Sequence, residues 1–169
     1  MAGPHTLAET ERTVAERLAG LPIDHQAMAV TSNLFRAANS VRNYMEREVL
    51  TPNDLTWTAF VVMWVTWIWG PAETRMIASE AGISKATLSG VLNTLQARDL
   101  VTRKKDEQDG RLVVVALTPS GLRLIKRLFP KINAAEQEAC RMLAAADQER
   151  TADCLRRMVE ATGKQDGES

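Results

Sequence analysis

Apolar residues recur at helical spacing along most of the chain. Between Trp57 and Ile68 they follow an i, i+3, i+4, i+7, i+8, i+11 order, which favours a helix over one long strand although valine, threonine and tryptophan dominate the segment. The chain is therefore predicted to be mainly α-helical. The predicted helices cover residues 6–20, 25–49, 55–68, 73–80, 84–98, 118–146 and 147–161.

Residues with capping side chains or restricted backbones mark the ends of these helices. Asp24, Ser84 and Thr118 each stand where an N-cap is needed, directly before a run of helical periodicity. Asp147 is predicted to cap the last helix in the same way. Pro130 is expected to kink or interrupt the helix that begins after Thr118, because proline lacks a backbone N–H.

The centre of the chain carries two short helices joined by a tight turn and followed by a hairpin. Residues 80–83, Glu-Ala-Gly-Ile, form the turn. Two β-rich runs, 101–105 and 111–117, flank the polar residues 106–110, which end in Asp-Gly. This order of elements is that of a helix-turn-helix with a wing. We therefore predict a mainly α winged helix-turn-helix with a small β-hairpin wing.

The second of the two short helices is the predicted recognition helix. Its exposed face is predicted to hold Lys85, Ala86, Ser89, Gly90 and Asn93. Ser89 and Asn93 can hydrogen-bond to base edges, and Ala86 can contact a thymine methyl group. Ser84 and Lys85 lie at the first turn, where the helix amides and dipole favour phosphate.

The hairpin supplies a second predicted contact with DNA. Its basic residues are Arg98, Arg103, Lys104, Lys105 and Arg111, and its acidic residues are Asp99, Asp106, Glu107 and Asp109. A small excess of positive charge is enough, because a single arginine can enter the electronegative minor groove. We assign that role to Arg111, with Asp109 holding its guanidinium in place, and count Arg103 and Lys105 as further DNA contacts.

Composition narrows the class of protein. The chain has 169 residues, 45% of them hydrophobic and 25% charged, which is typical of a globular domain. The formal net charge is zero and the pI is about 6.7, so any nucleic-acid surface must be local. Two isolated cysteines argue against a disulfide scaffold or zinc finger and favour a reducing cytoplasm.

One segment requires a test for membrane insertion. Residues 55–72 carry no charged side chain. A spanning helix needs about 20 apolar residues, whereas this run contains three threonines and ends at Gly-Pro. A buried core helix is the favoured interpretation, and a membrane helix is the alternative.

The segment GISKATLSGVLNTLQARDLVTRKKDEQDGRLVVVALTPSG, residues 82–121, resembles the core of the MarR (multiple antibiotic resistance regulator) family of winged-helix regulators. The matching features are Ser84 with Thr87, the run from Leu95 to Val101, Asp106, Asp109 with Arg111, and Leu117-Thr118 followed by Gly121. Three positions depart from the family, where basic residues are frequent: Gly90, Thr94 and Gln108. Fewer cations should lower non-specific affinity for DNA.

The resemblance implies a homodimer that binds double-stranded DNA at a pseudo-palindromic operator as a repressor released by a small-molecule effector. It adds Thr87 to the expected DNA contacts. Residues 1–52 and 119–169 would form the dimerisation region, and residues 53–118 the DNA-binding lobe. Apolar stripes within 6–21 and 132–159 suit such an interface, because a small winged domain cannot cover them. No cofactor, metal or membrane partner is expected.

Tryptophans suggest where a small aromatic or lipophilic effector binds, and two interpretations remain open. Trp57, Trp64 and Trp67 can stack on an aromatic ligand, or they can simply fill the core. The core interpretation is favoured for Trp57 and Trp64. Trp67 and Trp69 lie off the main stripe and are better placed for a pocket or interface.

Other chemistry finds little support in the sequence. No catalytic or nucleotide-binding motif of the common types occurs, so no enzyme is predicted. Cys140 and Cys154 can be a redox switch, but small buried thiols are commoner. The alternative function is a ligand- or protein-binding module that kept the winged helix and lost DNA binding, which the uncharged Gly90, Thr94 and Gln108 would suit.

Overall fold

The computed structural model describes residues 5–105 and 112–163. The chain divides into two compact units, residues 1–43 and 44–169. The proposed minor-groove arginine, Arg111, and its partner Asp109 lie outside the described residues, as do Asp106 and Gln108.

Two helices begin in the first unit, and both start at a capping side chain. Helix α1 (Leu7–Arg17) begins after Thr6, whose hydroxyl accepts the N–H of Glu9 while the backbone N–H of Thr6 donates to Glu9 Oε2 at 2.7 Å. That backbone hydrogen bond lowers the pKa of the Glu9 carboxyl. Helix α2 (His25–Met45) begins after Asp24, whose Oδ1 accepts the N–H groups of Gln26 and Ala27 at 2.9 Å. The predicted cap at Asp24 is confirmed.

The second unit contains the helix-turn-helix and wing. A π-helical turn (Glu46–Leu50) and a 3₁₀ turn (Thr51–Asn53) follow α2. The remaining elements are α3 (Trp57–Trp69), β1 (Ala72–Glu73), α4 (Thr74–Glu80), α5 (Lys85–Ala97), β2 (Val101–Lys105), β3 (Val113–Leu117), α6 (Pro119–Cys140) and α7 (Ala145–Gly163). The predicted class, mainly α with a small β wing, is confirmed.

The wing is a three-stranded antiparallel sheet in the order β1-β3-β2. Val115, in the centre of β3, pairs with Ala72 on one side and Arg103 on the other, and it is fully buried. The sequence pattern did not predict β1. A strand of two residues shows no periodicity, and its partner lies more than forty residues further along the chain.

Helix α3 lies at the centre of the second unit and packs against α4, α5, α6 and β3. Val62 and Met63 are completely buried, and Thr66 satisfies its buried hydroxyl by donating to the Val62 carbonyl at 2.8 Å. The uncharged segment is therefore a core helix, as predicted. No helix within residues 5–105 and 112–163 is long and apolar enough to span a membrane.

Helix α6 differs from its prediction at two places. It continues through Pro130 without interruption, with the buried Leu128 and Ile132 on either side holding it against the core. It ends at Cys140, not at residue 146. Helix α7 consequently begins at Ala145, so Asp147 lies in its first turn and the predicted cap at Asp147 is wrong.

A tight junction joins the wing to α6. Thr118 donates its backbone N–H to the Leu100 carbonyl at 3.1 Å and its hydroxyl to the Asp99 carbonyl at 2.6 Å. The same hydroxyl accepts the N–H of Gly121 at 2.9 Å, which confirms Thr118 as the N-cap. A Cβ atom at Gly121 would overlap the Leu100 carbonyl oxygen. The spacing of Thr118 and Gly121 is therefore a packing requirement.

Two glycine-to-alanine substitutions should have opposite effects on stability. Gly121→Ala is expected to lower the free energy of unfolding by about 1–3 kcal/mol, because the methyl group meets backbone that cannot move aside. Gly90→Ala is the matched control within a helix. It should raise stability by about 0.5–1 kcal/mol, because nothing lies within 4 Å of its Cβ position. Urea denaturation measures both changes in the free energy of unfolding. Two changes of the same sign would contradict this explanation.

Candidate nucleic-acid interface

The turn between α4 and α5 has the geometry of a helix-turn-helix. Gly82 adopts φ +62° after α4, with its N–H bonded to the Ser79 carbonyl and the N–H of Ile83 bonded to the Ala78 carbonyl at 3.0 Å. This Schellman arrangement requires a left-handed residue, which explains the glycine. The next residue, Ser84, caps α5 by accepting the Thr87 N–H at 3.1 Å. The predicted cap at Ser84 is confirmed.

Helix α5 has one buried face and one exposed face. Leu88, Leu92 and Leu95 are each at most 1% exposed and anchor the helix to the core. The residues of α5 and its cap that are predicted to face DNA are all exposed: Ser84, Lys85, Ala86, Thr87, Ser89, Gly90 and Asn93. The helix therefore presents a small polar surface with one cation at its first turn.

After α5 the chain turns and continues as strand β2, which packs against α5. Asp99 adopts φ +53°, and the N–H of Leu100 bonds to the Leu95 carbonyl at 2.9 Å in a second Schellman turn. Lys105, at the end of β2, is exposed. Lys85, Ser89 and Arg103 line one groove of about 220 Å³ between α5 and the sheet. The structure thus brings predicted helix and wing residues together.

Arg103 contacts two side chains of the exposed face of α5. Its Nε donates to Gln96 Oε1 and its Nη2 donates to Asn93 Oδ1, both at 2.7 Å. The sequence predicts Asn93 and Arg103 as separate contacts with DNA and does not single out Gln96. The only signal that pointed to it is its position three residues after Asn93, on the same helical face.

The sequence of this chain is similar to those of known transcription regulators. The sequence model of the MarR family matches residues 55–113. A regulator from Bacillus subtilis (strain 168), described as an uncharacterized HTH-type transcriptional regulator, YwaE, is 34% identical over 157 residues, covering 91% of this chain and 92% of that protein. The chain belongs to the MarR family. It is a winged helix-turn-helix transcription regulator.

Two solved structures extend this similarity. Bordetella bronchiseptica BpsR, whose DNA binding is regulated by 6-hydroxynicotinic acid, is 28% identical with a TM-score of 0.72, covering 77% of this chain and 98% of that one. Streptomyces coelicolor PcaV, in complex with its natural ligand, is 26% identical with a TM-score of 0.66, covering 86% and 96%. Most of the chain is therefore similar in fold to members of the MarR family.

Arg98 of this MarR-family chain lies away from the wing residues with which it was grouped. It is half-buried, and its guanidinium donates to the backbone carbonyls of Asn53, at 3.1 Å, and Asp54. Both carbonyls belong to the segment that leads into α3. Arg98 therefore ties the end of α5 to the start of α3, a structural role that its sequence position did not reveal.

An apolar cavity of about 250 Å³ lies between α3 and α6. Its lining is Trp57, Phe60, Val61, Trp64, Phe129, Ile132 and Glu136. Trp57 is half-buried and Trp64 is 37% exposed, so neither fills the core in the way the favoured interpretation expected. Trp67 lies outside this lining, with its ring 5.4 Å from that of Phe129 in an edge-to-face contact, and Trp69 is 60% exposed.

A smaller cavity of about 160 Å³ lies within the first unit, between α1 and α2. Arg36 lines it, and Nη1 of Arg36 is buried with no hydrogen-bond partner among the described residues. Sequence reasoning did not single out Arg36. Such a nitrogen can bind an anionic group, but the same lining includes Glu11, whose carboxylate would repel one.

The remaining candidate chemistry is sparse. Cys140 is half-buried at the end of α6, Cys154 is exposed on α7, and neither forms a disulfide within the described part of the chain. Within those same residues, no three His, Cys, Asp or Glu side chains lie close enough together to hold a metal ion. The redox role of the cysteines stays a hypothesis.

Removing the Arg98 side chain should destabilise the fold. Arg98→Ala is expected to lower the free energy of unfolding by about 1–3 kcal/mol, because two backbone carbonyls lose a charged donor. Lys104→Ala removes an exposed cation from the adjacent strand and should change stability by less than about 0.5 kcal/mol. Equal values in urea denaturation would show that Arg98 is an ordinary surface residue.

Proposed function

We propose that this protein is a sequence-specific DNA-binding repressor that a small-molecule effector releases from its operator. The observation that carries the proposal is the two-faced helix α5, which three buried leucines anchor and whose polar face is exposed. A recognition helix must combine these two properties to read base edges from a fixed position. BpsR supports the regulatory part, since 6-hydroxynicotinic acid regulates its DNA binding.

Each residue that the sequence predicts to face DNA has a proposed role in this contact. Ser89 and Asn93 bond to base edges, and Ala86 contacts a thymine methyl group. The first turn, with Ser84, Lys85 and Thr87, contacts phosphate. On the wing, Lys105 and Arg103 add positive charge near the backbone, and Arg111 enters the minor groove. Gly90 leaves open space that lets the DNA approach the helix closely.

The DNA-binding form is proposed to be a homodimer. Residues 53–118 act as the DNA-binding lobe, and residues 1–52 and 119–169 contribute the dimer surface. Large apolar side chains are exposed in both of the latter regions, including Phe35 at 69% and Val159 at 70%. Exposed apolar surface of this kind commonly marks a protein interface. A two-fold axis would then place two recognition helices on half-sites about one helical turn apart.

Fluorescence anisotropy with duplexes from the region flanking the protein's own gene tests DNA binding. At low salt we expect tighter binding to one duplex than to a scrambled duplex of the same composition. Lys85→Ala should reduce the magnitude of the slope of log K against log salt by about 1.8, because each protomer of the proposed dimer loses one phosphate contact worth about 0.9. Arg150→Ala, which removes an exposed cation from α7, is the control and should leave the slope unchanged.

Two results would count against the proposal. Equal affinity for both duplexes would instead favour a winged-helix module that has lost specific DNA binding, which the uncharged Gly90 and Thr94 on α5 would suit. Equal slopes for the two variants would remove Lys85 from the interface.

The cavity between α3 and α6 is the proposed effector site. Trp57, Trp64 and Phe129 offer aromatic walls, and α3 also packs against α5. A ligand that favours one position of α3 would therefore bias the position of the recognition helix, which is a shift between two populations. Because Glu136 is the charged residue of the lining, uncharged aromatic rings fit best.

Calorimetry with indole, a neutral aromatic probe, tests the cavity. Trp64→Ala should weaken indole binding about tenfold, because it removes one aromatic wall. Trp69→Ala is the matched control, since Trp69 is exposed and lies outside the lining. Identical affinities for the two variants would exclude this cavity as the binding site.

A further inference from the structure

We propose that Arg103 is a positioning residue for base recognition. By binding the amide oxygens of Asn93 and Gln96, it makes the C-terminal half of the recognition helix a surface of hydrogen-bond donors. The inference rests on the proposed function, since it concerns how α5 reads DNA. It adds a specificity mechanism in which the wing determines what the helix recognises.

The orientation of both amides follows from the chemistry of the guanidinium group. Arginine carries five N–H donors and no acceptor, so whatever lies 2.7 Å from its Nε and Nη2 must accept. The amide of asparagine or glutamine has one acceptor end, its oxygen, and one donor end, its nitrogen. The oxygens of Asn93 and Gln96 therefore face Arg103, and their NH₂ groups are turned away from it.

The fold holds Arg103 in this position. It pairs with Val115 in the centre of the sheet, and it is half-buried, so its backbone is fixed relative to α5. Asn93 and Gln96 are one turn apart on α5, which lets the planar fork of one guanidinium reach both. The positive charge also polarises both amides and strengthens their NH₂ groups as donors.

A donor surface selects particular base edges in the major groove. Guanine presents two acceptors there, N7 and O6, whereas cytosine presents the donor N4 amino group. A freely rotating asparagine can donate its NH₂ group to guanine, or its oxygen can accept the N4 amino group of cytosine. With its orientation set by Arg103, Asn93 offers NH₂, so it should favour guanine and disfavour cytosine at the base it contacts.

Selection from a pool of randomised duplexes, followed by sequencing, measures this preference. Asn93→Ala first identifies the position that Asn93 reads, as the one whose base preference disappears. At that position the unmodified protein should favour guanine over cytosine by about tenfold. Arg103→Lys keeps the positive charge but lacks the planar fork, so it should lose most of this preference while keeping the salt dependence of binding.

Asn93→Asp is the sharpest comparison. The carboxylate still accepts from Arg103, but it has no donor, so the preference at this position should invert towards cytosine. The effects of Asn93→Ala and Arg103→Lys on base preference should also be non-additive, because the second acts through the first. Thermal unfolding of each variant separates these effects from loss of folding.

Distinct outcomes separate this inference from the proposed function. If the unmodified protein selects no sequence at all, the proposed function fails. If it selects an operator but Arg103→Lys leaves the guanine preference intact, or the two substitutions are additive, then Arg103 does not orient Asn93 and this inference is overturned. A loss spread evenly over all positions in Arg103→Lys would likewise assign Arg103 to phosphate contact alone.

Discussion

Close packing around α3 is the constraint on which the second unit depends. The thirteen residues of α3 include no charged side chain, so packing one face of the helix into the core leaves no unpaired charge there. Val62, Met63 and Val65 are at most 1% exposed, and the helix contacts α4, α5, α6 and β3. The packing of α3 consequently fixes the positions of both the recognition helix and the wing. A displacement of α3 would therefore be passed on to α5 and β3, because well-packed interiors have little free volume to absorb it.

The cations of the winged region fall into different classes once their partners are known. Arg98 donates to backbone carbonyls and belongs to the internal framework. Arg103 binds two amides of α5, and Lys85 and Lys105 remain exposed. A count of positively charged residues therefore overestimates the number of cations that are free to contact phosphate. Since the net charge of the chain is zero, the proposed DNA contact would depend on a few well-placed donors and not on a broad electrostatic field.

The proposed effector site and the proposed DNA surface share α3 as a common element. Trp57 and Trp64 project from α3 into the cavity, while buried residues of the same helix contact α5. Coupling between two sites needs an element that both ligands bias, and α3 meets the structural part of that requirement. The proposed dimer adds a second requirement, because its two copies must hold their recognition helices at a fixed spacing. The exposed apolar residues of α7 and of the first unit are the proposed dimer surface.

The sequence by itself determined the helices, the caps at Asp24, Ser84 and Thr118, the turn at Gly82 and the hairpin that follows. These features depend on spacing within one or two helical turns, and nearby residues supply their hydrogen bonds. It also separated the buried and exposed faces of α5 correctly. Only the tertiary structure decided the strand β1, the overlap that excludes a side chain at Gly121, and the partners of Arg98 and Arg103. Those contacts join residues from separate elements, and a long charged side chain binds whatever acceptor the fold brings within its reach.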